Sequence, residues 1–177
     1  MKYPLAMRIL HWAMAVLICG QLAAGAWMVR LADAVPAKFD HWYPWHKCTG
    51  IVLLLLLVAR YLIRRRSKLP PPPTVFKRWE RLAAHAGHAT IYVLLLFVPL
   101  MGYSMSSSFT QSDGVYFFGV LLPELLPKND RHFEVFRQLH RWSAYLLLVI
   151  VIVHVLAALK HRLFDRARGG DVIPRML

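Results

Sequence analysis

The sequence is poor in charged residues. Asp, Glu, Lys and Arg make up 18% of its 177 residues, whereas hydrophobic residues make up 58%. The mean hydropathy of +0.43 is well above that of a typical water-soluble domain of this length. The scarcity of charge therefore argues against a soluble protein and predicts a chain that lies in lipid.

Cysteine is also scarce. Cys19 and Cys48 lie within or at the edge of apolar runs, and they do not form a CxxC pair. The chain also has no CxxCH segment, which excludes covalent attachment of a c-type haem. We expect both cysteines to act as small packing residues.

Acidic residues are few, nine against 22 Lys and Arg, which gives a net charge of +13. Most basic residues lie in segments 1–8, 60–81 and 160–177, whereas the other loops are close to neutral. The acids of those other loops are Asp33, Asp40, Asp113, Glu124, Asp130 and Glu134. By the positive-inside rule, both termini are expected to be cytoplasmic. This asymmetry accounts for the charge, so no nucleic-acid partner is expected.

Four long apolar runs are present, each near the ~20 residues needed to cross ~30 Å of hydrocarbon. They predict spans at about 8–30, 44–65, 82–105 and 138–161. The fold class is therefore an all-α integral membrane protein, a single domain (1–177) built as a bundle of four transmembrane helices. The first run is too long for the apolar region of a signal peptide, so we expect it to remain as an anchor.

Two connecting segments have distinctive compositions. The run Pro70–Pro73 cannot be helical and predicts a stiff cytoplasmic linker. The loop 106–137 is rich in Phe and Leu, and we expect it to lie on the outer membrane surface as a short interfacial helix ended by Pro127.

Nine histidines are many for a membrane protein of this size, since ionisable groups in spans are costly and usually functional. His140 and His154 are separated by 14 residues in the fourth span, which is about 21 Å along a helix. Fourteen steps of ~100° come to about 1400°, within about 40° of whole turns, so both imidazoles point to nearly the same face. One helix thus presents a histidine near each membrane surface.

Two other histidines match these positions in depth. The expected topology places His11 at the level of His154 and His46 at the level of His140. Two imidazoles close both axial positions of a haem iron, so the pattern predicts two b-type haems. Ordinary interfacial histidines and a zinc site are the alternatives, but zinc needs four ligands that converge at one point, and these residues form two distant pairs.

The other histidines are less informative. His85 and His88 lie at the depth of His11 and are its rivals as ligands; they could instead bond a haem propionate or a quinone, or lie at the interface. The histidines outside the apolar runs are expected to be solvent-exposed, and these are His41, His132 and His161.

Fifteen residues spread over nearly the whole chain form a recognisable pattern. They are Arg8, Ile9, Leu10, His11, Trp12, His46, Gly50, His85, Ala86, Gly87, His88, Pro99, Gly102, His140 and His154. The pattern resembles the prokaryotic diheme cytochrome b561 family, which includes a superoxide oxidase of bacterial inner membranes and is related to b-type cytochrome subunits of hydrogenases. The resemblance implies a four-helix bundle with two b haems ligated by His11, His46, His140 and His154, the four histidines that depth matching also selects.

The resemblance to the superoxide oxidase implies a superoxide:ubiquinone oxidoreductase of the bacterial inner membrane. Superoxide would donate electrons at the outer, periplasmic haem, and ubiquinone would accept them near the cytoplasmic one. Lys47 and Arg141 directly follow the outer ligands and Arg137 lies one turn earlier, so we expect these cations to steer the anion. Ordinary snorkelling at the interface is the alternative for them.

The partner at the cytoplasmic side is expected to be a quinone, whose carbonyl needs hydrogen-bond donors. Candidate donors near the inner haem are Lys77, Arg78, Trp79, His85, His88 and Lys160. Two other functions stay open: an electron-transfer subunit that serves a separate dehydrogenase or hydrogenase, and a haem-free transporter or sensor bundle. A redox partner subunit and a homodimer are both compatible with the sequence.

Overall fold

The chain folds into four long helices that run back and forth. The computed structural model describes residues 2–112 and 114–177, so Asp113 lies outside the described residues. The helices are α1 (Leu5–Met28), α2 (Tyr43–Arg66), α3 (Arg78–Ser108) and α4 (Asp130–Phe164). All four are long and apolar enough to cross a membrane. The predicted four-span helical membrane fold is therefore confirmed.

The helices extend beyond the apolar runs because their ends are stabilised by polar groups. A π-helical turn, Lys38–Trp42, leads directly into α2. The Asn129 side chain accepts hydrogen bonds from the backbone N–H groups of Arg131 and His132, which starts α4 eight residues before the predicted span. At α3 the Glu80 carboxylate accepts from the Lys77 N–H at 2.9 Å.

The linker between α2 and α3 follows the prediction from its prolines. Residues 68–73 have no regular secondary structure, and Ser67 already has extended backbone angles at the end of α2. The proline run thus ends one helix and leaves only a short stretch before Arg78 begins the next.

The connection between α3 and α4 differs from its prediction as an interfacial helix. It contains an antiparallel hairpin, β1 (Val115–Phe117) and β2 (Val120–Leu122), in which Tyr116 pairs with Leu121. Phe118 and Gly119 both have positive φ, at 47° and 86°, which fits a tight two-residue hairpin turn. The prediction of a helix ended by Pro127 is therefore wrong.

The hairpin is held against the end of the bundle opposite the two termini, which we name the outer end. The Tyr103 hydroxyl donates to the carbonyl of Pro123, and the Leu126 N–H donates to the Ser107 hydroxyl at 3.1 Å. The Cys48 thiol lies 3.1 Å from the Tyr116 carbonyl. These contacts join the loop to α2 and α3, so it covers this end of the bundle.

A small apolar core lies at the middle depth of the bundle. It comprises Met14, Ile18, Leu53, Leu57, Leu94, Leu95 and Leu147. Leu147 lies midway along α4 between His140 and His154. The core therefore forms an apolar layer between the two histidine levels, whereas many outward-facing side chains on the same helices are exposed, as expected for surfaces that contact lipid.

The C-terminal segment closes the end of the bundle that holds both termini, the inner end. The Tyr3 N–H donates to the Arg175 carbonyl at 2.9 Å, and the Trp12 indole donates to the Met176 carbonyl at 2.8 Å. The Arg175 guanidinium donates to the carbonyl of Pro71 at 2.6 Å. The tail thereby connects the start of α1 to the proline linker.

Candidate functional site

The outer histidine pair consists of His46 on α2 and His140 on α4. Their ring centres are 6.1 Å apart and their planes are nearly perpendicular, at 87°. Two imidazoles that share one iron have nitrogens about 2 Å from the metal, which places the ring centres about 6 Å apart. Rings on a common axis can have any mutual rotation, so this pair fits the two axial positions of one haem iron.

The His140 ring is oriented by α3. Its Nδ1 lies 2.9 Å from the carbonyl oxygen of Val98. Gly102, one turn further along α3, allows this approach, because a Cβ atom there would lie 3.0 Å from Cε1 and Nδ1 of the ring. A carbonyl that accepts the Nδ1 proton leaves Nε2 available as a metal ligand.

His46 is packed closely on its other side. A Cβ atom at Gly25 of α1 would lie 3.3 Å from Cε1 of His46. The Gln21 side chain donates to the His46 carbonyl at 2.8 Å, which ties α1 to α2 at this depth. Nδ1 of His46 is buried without a hydrogen-bond partner among the described residues. A buried polar atom without a partner is unfavourable, so it is consistent with a group bound beside this ring.

The inner pair has the same spacing. The ring centres of His11 on α1 and His154 on α4 are 6.3 Å apart, with an angle of 71° between their planes. The two pairs thus have matching geometry at opposite ends of the apolar layer. This is the arrangement of four residues that the sequence predicts for two b haems.

A third imidazole lies beside the inner pair. The ring centre of His88 on α3 is 5.2 Å from that of His154, about 1 Å closer than His11. This spacing is too short for two imidazoles on opposite sides of one iron. The geometry therefore favours His11 as the counterpart of His154, and it assigns His88 a place next to the pair. His85 is exposed and makes no hydrogen bond or ring contact with another described residue.

The outer cations have different surroundings. Arg137 forms a double hydrogen bond with the Glu134 carboxylate, at 2.7 and 2.8 Å. The Arg141 guanidinium lies 5.9 Å from the ring centres of Trp142 and Tyr145. Lys47 points toward the hairpin, with Nζ 3.5 Å from the Gly114 carbonyl. Since Glu134 offsets the charge of Arg137, Arg141 contributes more of the positive field at this end.

The candidate quinone donors are also spread out. The side chain of Trp79 is exposed, at 63%. Lys77 precedes the first turn of α3 and caps it. Lys160 on α4 bridges Glu80 and Asp165, at 2.8 and 2.7 Å. Lys77, Arg78 and Trp79 are all exposed, at the end of the bundle where α3 begins.

The prediction that His161 is solvent-exposed is wrong. Its side chain is 13% exposed, its ring stacks on Phe76 with centres 4.2 Å apart, and Nδ1 lies 2.7 Å from the Asp165 carboxylate. Oxygen and nitrogen atoms of Glu80, His161 and Asp165 lie within 4.8 Å of one another. Lys160 bonds both carboxylates, so the cluster is an ion-pair network that joins α3 to α4. His41 and His132 are exposed, as predicted.

Two comparisons with known proteins show which family the chain resembles. The sequence model of the family described as prokaryotic cytochrome b561 matches residues 2–177. The chain is also similar to cytochrome b561 homolog 2 of Escherichia coli strain K12, with 33% identity over 181 residues that cover 99% of this chain and 91% of that protein.

Proposed function

The chain belongs to the prokaryotic cytochrome b561 family of membrane electron-transfer proteins, which bind b haems, and we propose that it carries electrons from superoxide at the periplasmic face to ubiquinone near the cytoplasmic face. In this proposal both termini are cytoplasmic and the residues 1–177 form one functional unit. The observation that carries the proposal is the pair of matched ring spacings, 6.1 Å and 6.3 Å, at opposite ends of α4.

Four histidines would hold two b haems. His46 and His140 would ligate the outer iron, and His11 and His154 the inner one. Bound there, the haems supply one-electron redox chemistry, with potentials that the axial ligands and the surrounding groups set. The Val98 carbonyl fixes the His140 ring, and the mid-depth core keeps water away from the space between the two levels.

The outer surface would attract the electron donor. Superoxide is a small anion, and the positive charges of Lys47 and Arg141 raise its local concentration at the end of the bundle where His140 lies. Arg137 adds less than Arg141, because it is paired with Glu134. Two superoxide anions give two molecules of dioxygen and two electrons in the complete reaction.

The cytoplasmic end would serve the acceptor. Ubiquinone takes two electrons and two protons to become ubiquinol, and its ring must lie near the inner pair with donors at its carbonyl oxygens. Lys77, Trp79 and His88 are the donors that we place there, since Lys160 is engaged by two carboxylates. The protons would come from water on this side of the membrane.

The test uses the purified haem-loaded protein in liposomes that contain ubiquinone. A superoxide source should reduce the haem iron, as measured from the absorption bands, and should then form one ubiquinol for every two superoxide anions. Superoxide dismutase should abolish both the haem reduction and the ubiquinol formation. If superoxide neither reduces the haems nor supports quinone reduction, the proposal is wrong.

A second function is favoured by the exposed hairpin. Its tip presents Tyr116, Phe118 and Val120 with exposures of 47%, 65% and 63%. Such an apolar tip would suit a docking surface for a separate dehydrogenase or hydrogenase, in which case the chain would be an electron-transfer subunit without its own substrate. A partner that copurifies at fixed stoichiometry, together with no reaction of the isolated chain with superoxide, would favour this function.

A further inference from the structure

An arginine lies within the bundle at the level of the inner histidines. Arg60 of α2 donates from Nε to the Tyr92 hydroxyl at 3.2 Å and from a terminal nitrogen to the Met7 carbonyl at 2.9 Å. These two contacts join α2 to α3 and to α1. Both acceptors are neutral, and Arg60 forms no ion pair with any carboxylate in the described part of the chain.

The charge of Arg60 acts on the inner site. Met7, whose carbonyl it contacts, lies one turn before His11 on α1, and Tyr92 lies one turn after His88 on α3, so the guanidinium is close to the inner histidines. A guanidinium in a membrane span is costly unless it has an anionic or strongly polar partner. Neutral hydrogen bonds satisfy part of its donor capacity, but they leave its charge uncompensated.

A second arginine, Arg8, directly follows a residue that Arg60 contacts. Arg8 directly follows Met7, whose carbonyl Arg60 contacts, and it precedes His11 by three residues, so it shares a face of α1 with that histidine. Nε of Arg8 is buried and has no hydrogen-bond partner within residues 2–112 and 114–177. A buried donor without a partner costs free energy, which indicates a bound acceptor at this position.

We propose that Arg8 and Arg60 form a carboxylate-binding site beside the inner histidines, and that it holds the two propionate groups of the haem placed there. The inference rests on the proposed function for the presence of that haem. Guanidinium groups bind carboxylates through paired, charge-assisted hydrogen bonds, and two arginines match two carboxylates. Arg8 precedes His11 on α1 and Arg60 lies at the level of that histidine, so the propionates would point toward the end of the bundle where α1 begins.

The site also affects the redox equilibrium. The ferrous form carries one positive charge fewer than the ferric form, so nearby cations stabilise the reduced state and raise the midpoint potential. Removal of either arginine should therefore lower the potential of the inner haem and leave that of the outer haem unchanged.

The experiment is a visible-spectrum redox titration of the haem-loaded protein with Arg8→Gln, Arg60→Gln and Arg60→Lys. The His154→Ala variant, which should retain only the outer haem, identifies which transition belongs to the inner one. We expect each Gln variant to shift the reduction equilibrium of the inner haem about tenfold toward the oxidised form. For one electron this lowers the midpoint potential by about 59 mV. Arg60→Lys keeps the charge and should shift it less.

Two control variants separate the charge from its structural role. Arg65→Gln removes an exposed cation of α2 that lies over the Tyr61 ring, and it should leave both potentials unchanged. Tyr92→Phe removes a hydrogen-bond partner of Arg60 but keeps the charge, so its inner potential should stay near that of the wild type. Loss of the inner haem alone in a folded Gln variant would also support the site.

An inner potential that is unchanged in both Arg8→Gln and Arg60→Gln overturns the inference. So does a shift in Tyr92→Phe as large as that in Arg60→Gln, because the effect would then come from the helix contact. These outcomes require only that the protein binds haem, whereas a wild-type protein without haem bands would instead overturn the proposed function.

Discussion

The carbonyl oxygen of Val98 on α3 lies 2.9 Å from Nδ1 of His140 on α4. Gly102, one turn later on the same face of α3, leaves room for the ring to lie against that helix. The contact therefore determines the orientation of a candidate ligand from a different helix. It also fixes the tautomer, because the Nδ1 proton has an acceptor and Nε2 is free to bind a metal.

Alanine variants of the two histidines in one pair should lose the same haem. His46→Ala and His140→Ala should each lose the outer haem, and His11→Ala and His154→Ala should each lose the inner one, since each site depends on two axial bonds to the iron and would lose one of them. A pyridine haemochrome assay should show about half of the wild-type content in each variant. His132→Ala, which changes an exposed histidine, is the control and should keep full content. If the two variants of one pair lost different haems, as judged from their visible spectra, the assignment would be contradicted.

His88→Ala should retain both haems. The His88 ring centre is 5.2 Å from that of His154, which is too close for axial ligation of one iron by both. Haem content should therefore stay near that of the wild type, while the KM for ubiquinone rises about tenfold from the loss of one hydrogen bond. Steady-state kinetics with a soluble quinone analogue measures this effect. A variant with half the haem content would instead identify His88 as the inner ligand.

Gly102→Ala should weaken haem binding at the outer site. The new methyl group would lie 3.0 Å from the His140 ring, and the ring would have to move away from the Val98 carbonyl. Loss of such an outer partner typically reduces metal affinity by about 10- to 100-fold. Retention of the outer haem during dilution or competition with a haem scavenger provides the measurement. Gly87→Ala, on the same helix with no atom within 4 Å of the new Cβ, is the matched control.

Reduction by superoxide should depend on the outer cations and on salt. Lys47→Gln and Arg141→Gln should slow the second-order rate about two- to tenfold at low ionic strength, and the difference should shrink as salt screens the charges. Arg137→Gln should have a smaller effect than Arg141→Gln because Glu134 already offsets that charge. Lys128→Gln, which removes a cation paired with Glu124, is the control. Equal rates for all variants in stopped-flow measurements would argue for simple snorkelling.

The network at Asp165 should make stability depend on acid. Hydrogen bonds from Lys160 and His161 hold the pKa of Asp165 below its usual value. Its contribution is present above the ordinary aspartate pKa of about 3.9, and it is lost as the pH falls through the lower value of the folded protein. Asp165→Asn should lower the Tm in detergent by about 1–4 °C at pH 7. The gap from the wild type should close in acid, and a gap that stays constant down to pH 3 would contradict this explanation.

The sequence predicted the parts of the molecule that follow from local chemistry. Runs of apolar residues must form helices in lipid, so the four spans could be located from composition alone. The 14-residue interval between His140 and His154 fixes their shared face on any α-helix, and depth then selects His11 and His46. These inferences depend on helical repeat and membrane thickness, and neither requires knowledge of how the helices pack.

Other features depend on contacts between distant segments. The apolar residues 115–126 are compatible with an interfacial helix or a hairpin, and the choice depends on contacts such as those between Tyr103 and Pro123. His161 looks exposed in the sequence, but the linker brings Phe76 onto its ring. The acceptor of His140, a backbone carbonyl, has no signal in the sequence. Gln21 and Arg60 do stand out there as polar residues in apolar runs.

Because α4 carries both His140 and His154, the distance between the two proposed haems is set within one continuous helix. If α1 or α2 tilted as the bilayer thinned or thickened, the contacts of His11 and His46 with the haems would change. The distance between the two haems would stay nearly constant. An insertion or deletion between these positions would swing one imidazole by about 100° per residue. The segment of α4 between His140 and His154 therefore tolerates insertions and deletions least.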